Sequence, residues 1–143
     1  TSLELDPAEM EKRNIHLQKK YAEIEENEVR FEELHCEDAE YLIVAFGSCA
    51  RIAQKAMEIA REEGIKVGLL RPITLWPFPS KAIAARAAQV KGILTVELNA
   101  GQMVEDVRLA VECKVPVEHF GRLGGIVPDP DEVITALKEK LIK

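Results

Sequence analysis

The sequence predicts an α/β fold in which a sheet of mainly parallel strands lies between two layers of helices. Short apolar runs alternate four times with helical segments along the chain. These runs are continuously apolar, as is typical of strands that are buried on both faces. The chain has 143 residues, of which 47% are hydrophobic, enough to fill a single core. We therefore expect a three-layer α/β/α sandwich.

A helical arm is expected at the start of the chain. Asp6 is a capping residue, Pro7 suits the first helical position, and Glu9 follows three residues after the cap. The helix is expected to end near Asn27. Its apolar residues form a narrow stripe: Met10, Leu17, Tyr21 and Ile24. Residues 1–27 are thus predicted to be an arm that lies against its own domain or a linker to a further domain.

Residues 28–143 are predicted to form one α/β domain. The segment from Glu28 to Leu34 alternates between apolar and polar residues, which is typical of a half-buried edge strand. The continuous apolar strands are expected at residues 41–46, 65–70, 92–98 and 115–119. Helices are expected near residues 49–63, 80–90, 101–112 and 130–142. Asp129 and Pro130 provide a cap and a first-turn proline for the last helix.

The loops that follow the parallel strands should share one edge of the sheet, because crossover connections are almost always right-handed. These loops are residues 47–48, 71–79, 99–102 and 121–128. Open α/β sheets place their functional sites at this edge. The last of the four loops is rich in glycine, so it either approaches a ligand or partner closely or serves only as a long turn.

Gly47 and Ser48 are the candidates for an anion site, since they open a helix whose first N–H groups would be free. The signal is weak, because no glycine-rich phosphate motif is present and capping by Ser48 alone would explain the pattern. Cys49 at the same helix start is either a thiol of lowered pKa or a small structural residue. The absence of a neighbouring histidine or second cysteine favours the structural role.

Polar residues around the end of the 92–98 strand have two interpretations. Asn99 is expected to cap the next helix, with Gln102 in the reciprocal position. Glu97 is expected to pair with Arg71 or to reach a neighbouring domain. No second carboxylate stands at a spacing that indicates acid–base catalysis, so no catalytic residue is predicted.

No metal site is predicted. The three histidines, His16, His35 and His119, have no recognisable partners, and the three cysteines are too far apart for a zinc or iron–sulfur site.

The most informative segment is residues 71–79, a loop stiffened by three prolines and carrying Trp76 and Phe78. Both rings would either pack on their own domain near Ser80 or form a partner interface, where tryptophan is a common anchor. We interpret the loop as a docking surface.

The composition limits the classes of partner and compartment. A formal net charge of −6 disfavours nucleic acid as a partner. No apolar run is long enough to cross a bilayer, and no signal peptide is evident, so a cytoplasmic location without a membrane partner is expected. The start at Thr1 without methionine indicates a piece of a larger polypeptide.

The order of these segments resembles a known family. The 47–48 turn, the helix from Ala53 to Gly64, the proline-rich loop and the Glu-Leu-Asn-Ala-Gly-Gln run at 97–102 are similar to the transketolase carboxy-terminal-like domain in alpha subunits of 2-oxoacid:ferredoxin oxidoreductases of the 2-oxoglutarate or 2-oxoisovalerate type. The resemblance covers residues 6–143. It implies a mixed five-stranded sheet whose edge strand near Val29 is antiparallel to the rest.

The resemblance also implies a function for the assembled enzyme. Such enzymes oxidatively decarboxylate a 2-oxoacid to its acyl-coenzyme A with thiamine diphosphate, magnesium, coenzyme A and iron–sulfur clusters, and pass electrons to ferredoxin. Overall likeness favours 2-oxoglutarate over branched 2-oxoacids.

This domain is expected to bind none of these cofactors and to be inactive alone. It would instead contact other domains of the alpha subunit and the beta subunit, with gamma and delta subunits where present. The expected interface residues are Arg71, Thr74, Trp76, Pro77, Phe78, Pro79, Glu97, Asn99, Gly101 and Gln102. Two alternatives stay open, namely a domain of another thiamine-dependent enzyme and a free-standing module that binds a small anion.

Overall fold

The structure, a computed structural model, describes residue 3 and residues 5–142. The other residues of the predicted arm and domain, 1, 2, 4 and 143, lie outside the described residues. In the described part, five helices and five strands follow one another: α1 (Pro7–Asn27), β1 (Phe31–Leu34), β2 (Tyr41–Ala45), α2 (Gly47–Glu62), β3 (Val67–Pro72), α3 (Ser80–Ala87), β4 (Gly92–Glu97), α4 (Met103–Val111), β5 (Val117–Gly121) and α5 (Pro130–Leu141).

The strands form one mixed sheet in the order β1-β3-β2-β4-β5. β2 pairs in parallel with β3 on one side and with β4 on the other, and β5 extends the sheet in parallel beyond β4. β1 pairs antiparallel with β3, with Glu32 opposite Arg71. The predicted fold class is confirmed, including the antiparallel edge strand whose alternating pattern differs from the other strands.

The helices cover both faces of the sheet and bury a core on each. On one face, α2 and α5 pack on side chains that include Ile43, Leu69 and Leu94. On the other face, α3 and α4 pack on Leu70 and Ile93. Each of these side chains is at most 1% exposed, and full burial of such a group stabilises the fold by about 1.5–3 kcal/mol.

The helix starts at the two ends of the chain are confirmed. Asp6 accepts hydrogen bonds from the N–H groups of the first turn of α1, at 2.8 Å from Ala8 N. Asp129 forms a reciprocal capping box with Glu132 at the start of α5. Both caps join residues two or three positions apart, so the local sequence suffices to specify them.

The arm helix α1 buries none of its residues. Its apolar stripe meets the domain at Tyr21, whose ring stands edge-on to Trp76 with the centroids 5.7 Å apart and the planes at 86°. No helix among the described residues is long and apolar enough to cross a membrane.

Candidate functional site

The candidate site is the carboxyl edge of the parallel strands. The register places Ala45 of β2 beside Val96 of β4, and Glu97 beside Gly121 of β5. Beyond the last pair, Arg122 N donates to Glu97 O at 3.2 Å. The loops that follow these strands therefore leave the sheet side by side, as predicted.

The proline-rich loop, residues 71–79, is held by hydrogen bonds centred on Thr74. Arg30 N donates to Thr74 Oγ1 at 3.0 Å, and the Thr74 hydroxyl donates to Pro77 O at 2.8 Å. Ile73 N and Thr74 N both donate to Arg30 O, at 2.9 and 3.1 Å. These bonds fix the loop to the segment that precedes β1. Thr74 thus acts as an internal support of the loop.

Three apolar side chains of this loop face outward, and we call them the aromatic surface: Ile73, Leu75 and Trp76, which are 49%, 48% and 55% exposed. Pro77 and Pro79 are buried, and Phe78 packs against the core beneath α3 and α4. Each of the two alternatives, packing within the domain and exposure to a partner, therefore applies to one of the rings. Phe78 belongs to its own domain, whereas Trp76 is available for contact.

Arg71 pairs with the neighbouring edge strand. Its Nη1 donates to Glu32 Oε2 at 2.9 Å, and both side chains are about half exposed. The predicted ion pair between Arg71 and Glu97 is wrong, because antiparallel pairing places Glu32 directly opposite Arg71. An exposed pair of this kind contributes little to stability.

Glu97 is a fully buried carboxylate that caps α4. Oε2 accepts from Gln102 N at 3.2 Å and Met103 N at 2.9 Å, and Oε1 accepts from Val104 N at 3.1 Å. These N–H groups and the positive end of the helix compensate the charge that burial would otherwise leave unsolvated. Because the side chain is not exposed, Glu97 is not available to a partner in this conformation.

Asn99 closes a turn and does not cap the helix, so the predicted capping pair with Gln102 is wrong. Asn99 Oδ1 accepts from Gly101 N at 2.7 Å, and Gly101 has a φ of 110°, which favours glycine. Gln102 occupies the N-cap position without a capping side-chain bond. Glu97 supplies that bond from outside the turn.

His119 completes a polar cluster with Glu97, which the sequence did not reveal. Its Nδ1 lies 3.2 Å from Thr95 Oγ1 and 3.4 Å from Glu97 Oε1, and its Nε2 lies 3.3 Å from Asn99 O. A Cβ atom on Gly121 would stand 2.2 Å from Asn99 O. The cluster is closely packed, and its polar groups hold the 99–102 loop in place.

The start of α2 differs from the prediction. The helix begins at Gly47, whose φ is +56°, so Ser48 already lies in the first turn and makes no capping bond. Capping by Ser48 is therefore wrong, whereas anion binding at Gly47 and Ser48 stays a prediction.

Burial, together with the charge of Glu97, raises the pKa of the Cys49 thiol. The raised pKa supports the structural role of Cys49.

A second apolar surface, which the sequence reasoning missed, lies at the far end of the same edge. It consists of Leu98, Leu123, Ile126 and Val127, which are all between 44% and 61% exposed. The apolar residues beside the glycines of the 121–128 loop were the available signal.

The exposed side chains at this edge suit contact with a partner, and the polar groups described above serve mainly to hold the loops. In the part of the chain that the structure describes, no group of three His, Cys, Asp or Glu side chains could hold a metal ion. The buried acid and the histidine are in contact with each other and with the loop backbone.

Comparisons with known proteins agree with this arrangement. Residues 39–133 match the family described as pyruvate:ferredoxin oxidoreductase core domain II. The chain is 47% identical to the ketoisovalerate oxidoreductase subunit VorB of Methanothermobacter marburgensis, over 97% of this chain and 39% of that subunit. It is 32% identical to the 2-oxoglutarate synthase subunit KorA of the same organism, over 71% of this chain and 27% of that subunit.

A solved structure shows the same fold. The 2-oxoglutarate:ferredoxin oxidoreductase from Magnetococcus marinus, with 2-oxoglutarate, coenzyme A and succinyl-CoA bound, superposes with a TM-score of 0.81 at 26% identity. The match covers 95% of this chain and 24% of that chain. The unmatched remainder of this chain is shorter than α1, so at least part of the arm helix lies within the match. The chain spans about two fifths of the VorB subunit.

Proposed function

The chain belongs to the pyruvate:ferredoxin oxidoreductase core domain II family, and we propose that it is a noncatalytic assembly domain in the alpha subunit of a 2-oxoacid:ferredoxin oxidoreductase. The complete enzyme would oxidatively decarboxylate a 2-oxoacid to its acyl-coenzyme A and pass the electrons to ferredoxin. Thiamine diphosphate, magnesium, coenzyme A and iron–sulfur clusters would be held by other domains or subunits. The partners of this domain would be the rest of the alpha subunit and the beta subunit.

The aromatic surface is the observation that carries this proposal. Trp76 is more than half exposed on a loop whose backbone is fixed by Thr74 and by the buried prolines. A rigid apolar surface loses little conformational entropy when a partner covers it, so more of the contact energy remains as binding free energy. Such a loop favours docking over catalysis.

The polar cluster supports the noncatalytic part of the proposal. Glu97 is the buried acid at this edge, and its carboxylate is engaged by three backbone N–H groups. A catalytic acid or base needs access to the reacting atoms, whereas this side chain has none from solvent.

For the substrate we propose a branched 2-oxoacid of the ketoisovalerate type. The identity to the ketoisovalerate oxidoreductase subunit is higher and extends over more of the chain than the identity to the 2-oxoglutarate synthase subunit. This proposal reverses the preference for 2-oxoglutarate that overall likeness suggested.

The test is to purify the full-length protein with its natural partners through an affinity tag. We expect co-purified iron and thiamine diphosphate, and ferredoxin reduction that requires both a 2-oxoacid and coenzyme A. The value of kcat/KM should be higher for 2-oxoisovalerate than for 2-oxoglutarate. A complex without 2-oxoacid-dependent reduction would contradict the proposed function, and the opposite preference would contradict only the substrate.

A further inference from the structure

The amino-terminal half of α1 projects from the domain without cover. Every residue from 7 to 16 is exposed, including Met10 at 37% and Ile15 at 52%. A helix in a protein usually obtains most of its stability from packing of an apolar face. The apolar side chains of this part of α1 therefore remain exposed in the described domain.

The stripe on α1 is continuous with the aromatic surface. Met10, Leu17 and Tyr21 are seven and four residues apart, which places them on one side of the helix. At the end of the stripe, the Tyr21 ring contacts Trp76 of the aromatic surface. We call the stripe on the helix, formed by Met10, Leu17, Tyr21 and Ile24, the arm surface.

Charged residues border the stripe with opposite signs. In a helical projection, Glu11 and Glu25 lie along one margin, and Arg13 and Lys20 lie along the other. A matching surface would be apolar in the middle, basic where it meets the glutamates and acidic where it meets Lys20.

We propose that the arm surface is covered by another part of the same polypeptide, in the full-length protein to which this chain corresponds. The related subunits are more than twice as long as this chain, so most of each relative lies outside the matched region. The match to a much longer solved chain also includes at least part of the arm. A helix with one apolar side uncovered by its own domain is accounted for by an intrachain domain contact. This inference rests on the proposed function.

Photo-crosslinking in the full-length protein, purified with its natural partners, tests the proposal. A benzophenone amino acid replaces Met10 in one sample. In a matched control it replaces Leu109, a residue of α4 that is 77% exposed. After irradiation, a denaturing gel separates intrachain from interchain products, and mass spectrometry identifies the linked peptide.

We expect the Met10 position to link to a peptide of the same polypeptide outside these 143 residues, without the mass increase of an interchain product. A product that contains another subunit or a second copy would overturn the inference. A Met10 sample with no more linkage than the Leu109 control would also overturn it, because the arm surface would then be uncovered. The 2-oxoacid-dependent reduction of ferredoxin by the unsubstituted complex is measured in parallel, so a failure of the proposed function is recognised separately.

Discussion

Two loops at the same edge of the sheet differ in the direction of their important side chains. Residues 71–79 pack Phe78 against the core, bury all three prolines and leave Trp76 outside. Residues 99–102 are instead held from within by Glu97, whose carboxylate is fully buried. Both loops carry residues expected at an interface, yet only the first presents a large apolar side chain from that set.

The difference has a simple physical basis. A tryptophan can stay half exposed at modest cost, particularly when a neighbouring ring covers one edge, as Tyr21 does. A carboxylate beside a helix start gains charge-assisted hydrogen bonds when it turns inward, provided that several N–H groups are available. The start of α4 supplies three of them to Glu97. A charge at a strand end is therefore a poor indicator of an interface when a helix begins nearby.

The largest effect is expected for Glu97→Ala. Removing the carboxylate leaves three N–H groups without their partner, which should lower the free energy of unfolding by about 3 kcal/mol. Urea unfolding of the chain measures the change. Glu139→Ala, on the exposed side of α5, is the matched control and should leave the midpoint unchanged. Equal effects of the two substitutions would show that the inward-facing loop does not depend on this carboxylate.

An intermediate effect is expected for Gly121→Ala. This substitution disturbs the 99–102 loop without removing a charge. The new Cβ would meet Asn99 O at 2.2 Å and His119 Nε2 at 2.6 Å. Relief of this clash should cost about 2 kcal/mol in stability.

Gly125→Ala is the control for glycine replacement. A Cβ atom added at Gly125 would meet no atom within 4 Å, and the residue has a φ of +83°. Backbone strain alone should therefore lower the stability by about 1 kcal/mol. Gly121 does not have a positive φ, so a larger loss of stability for Gly121→Ala than for Gly125→Ala, measured by thermal unfolding, would show that the clash costs more than the backbone strain. A Gly121 variant as stable as the parent would contradict the close packing of the cluster.

The smallest effect on stability is expected for Trp76→Ala in the 71–79 loop. Loss of the Tyr21 contact should lower the free energy of unfolding by about 1 kcal/mol or less. Recovery of partner subunits with the full-length variant should nevertheless fall. Phe78→Ala is the contrasting variant, because its ring packs on the core and its loss should affect folding first. A Trp76 variant that retains all its partners would remove the docking role of this loop.

The sequence was sufficient for the parts of the fold that depend on neighbours in the chain. Asp6 and Asp129 act on groups two or three residues away, and their caps were predicted correctly. The cap from Glu97 crosses a turn, to N–H groups five to seven residues away, and it was mistaken for one from Asn99.

Other parts of the site depend on distant contacts. The approach of His119 to Thr95 requires the register between β4 and β5, which the sequence pattern does not specify. Trp76 is exposed and Phe78 packs on the core, although they are two residues apart. Which of the two rings packs beneath α3 depends on contacts with distant residues.

The carbonyl of Arg30 has one further consequence. It accepts two N–H groups from the proline-rich loop, and it lies between α1 and β1. Arg30 follows the last residue of α1 by three positions, so these two bonds join the base of the loop to the segment that leads out of the arm. A partner that orders the arm would therefore lower the conformational-entropy cost of ordering the 71–79 loop, and the reverse also holds. Binding to the two should therefore be cooperative, with a joint free energy more favourable than the sum of the separate contributions.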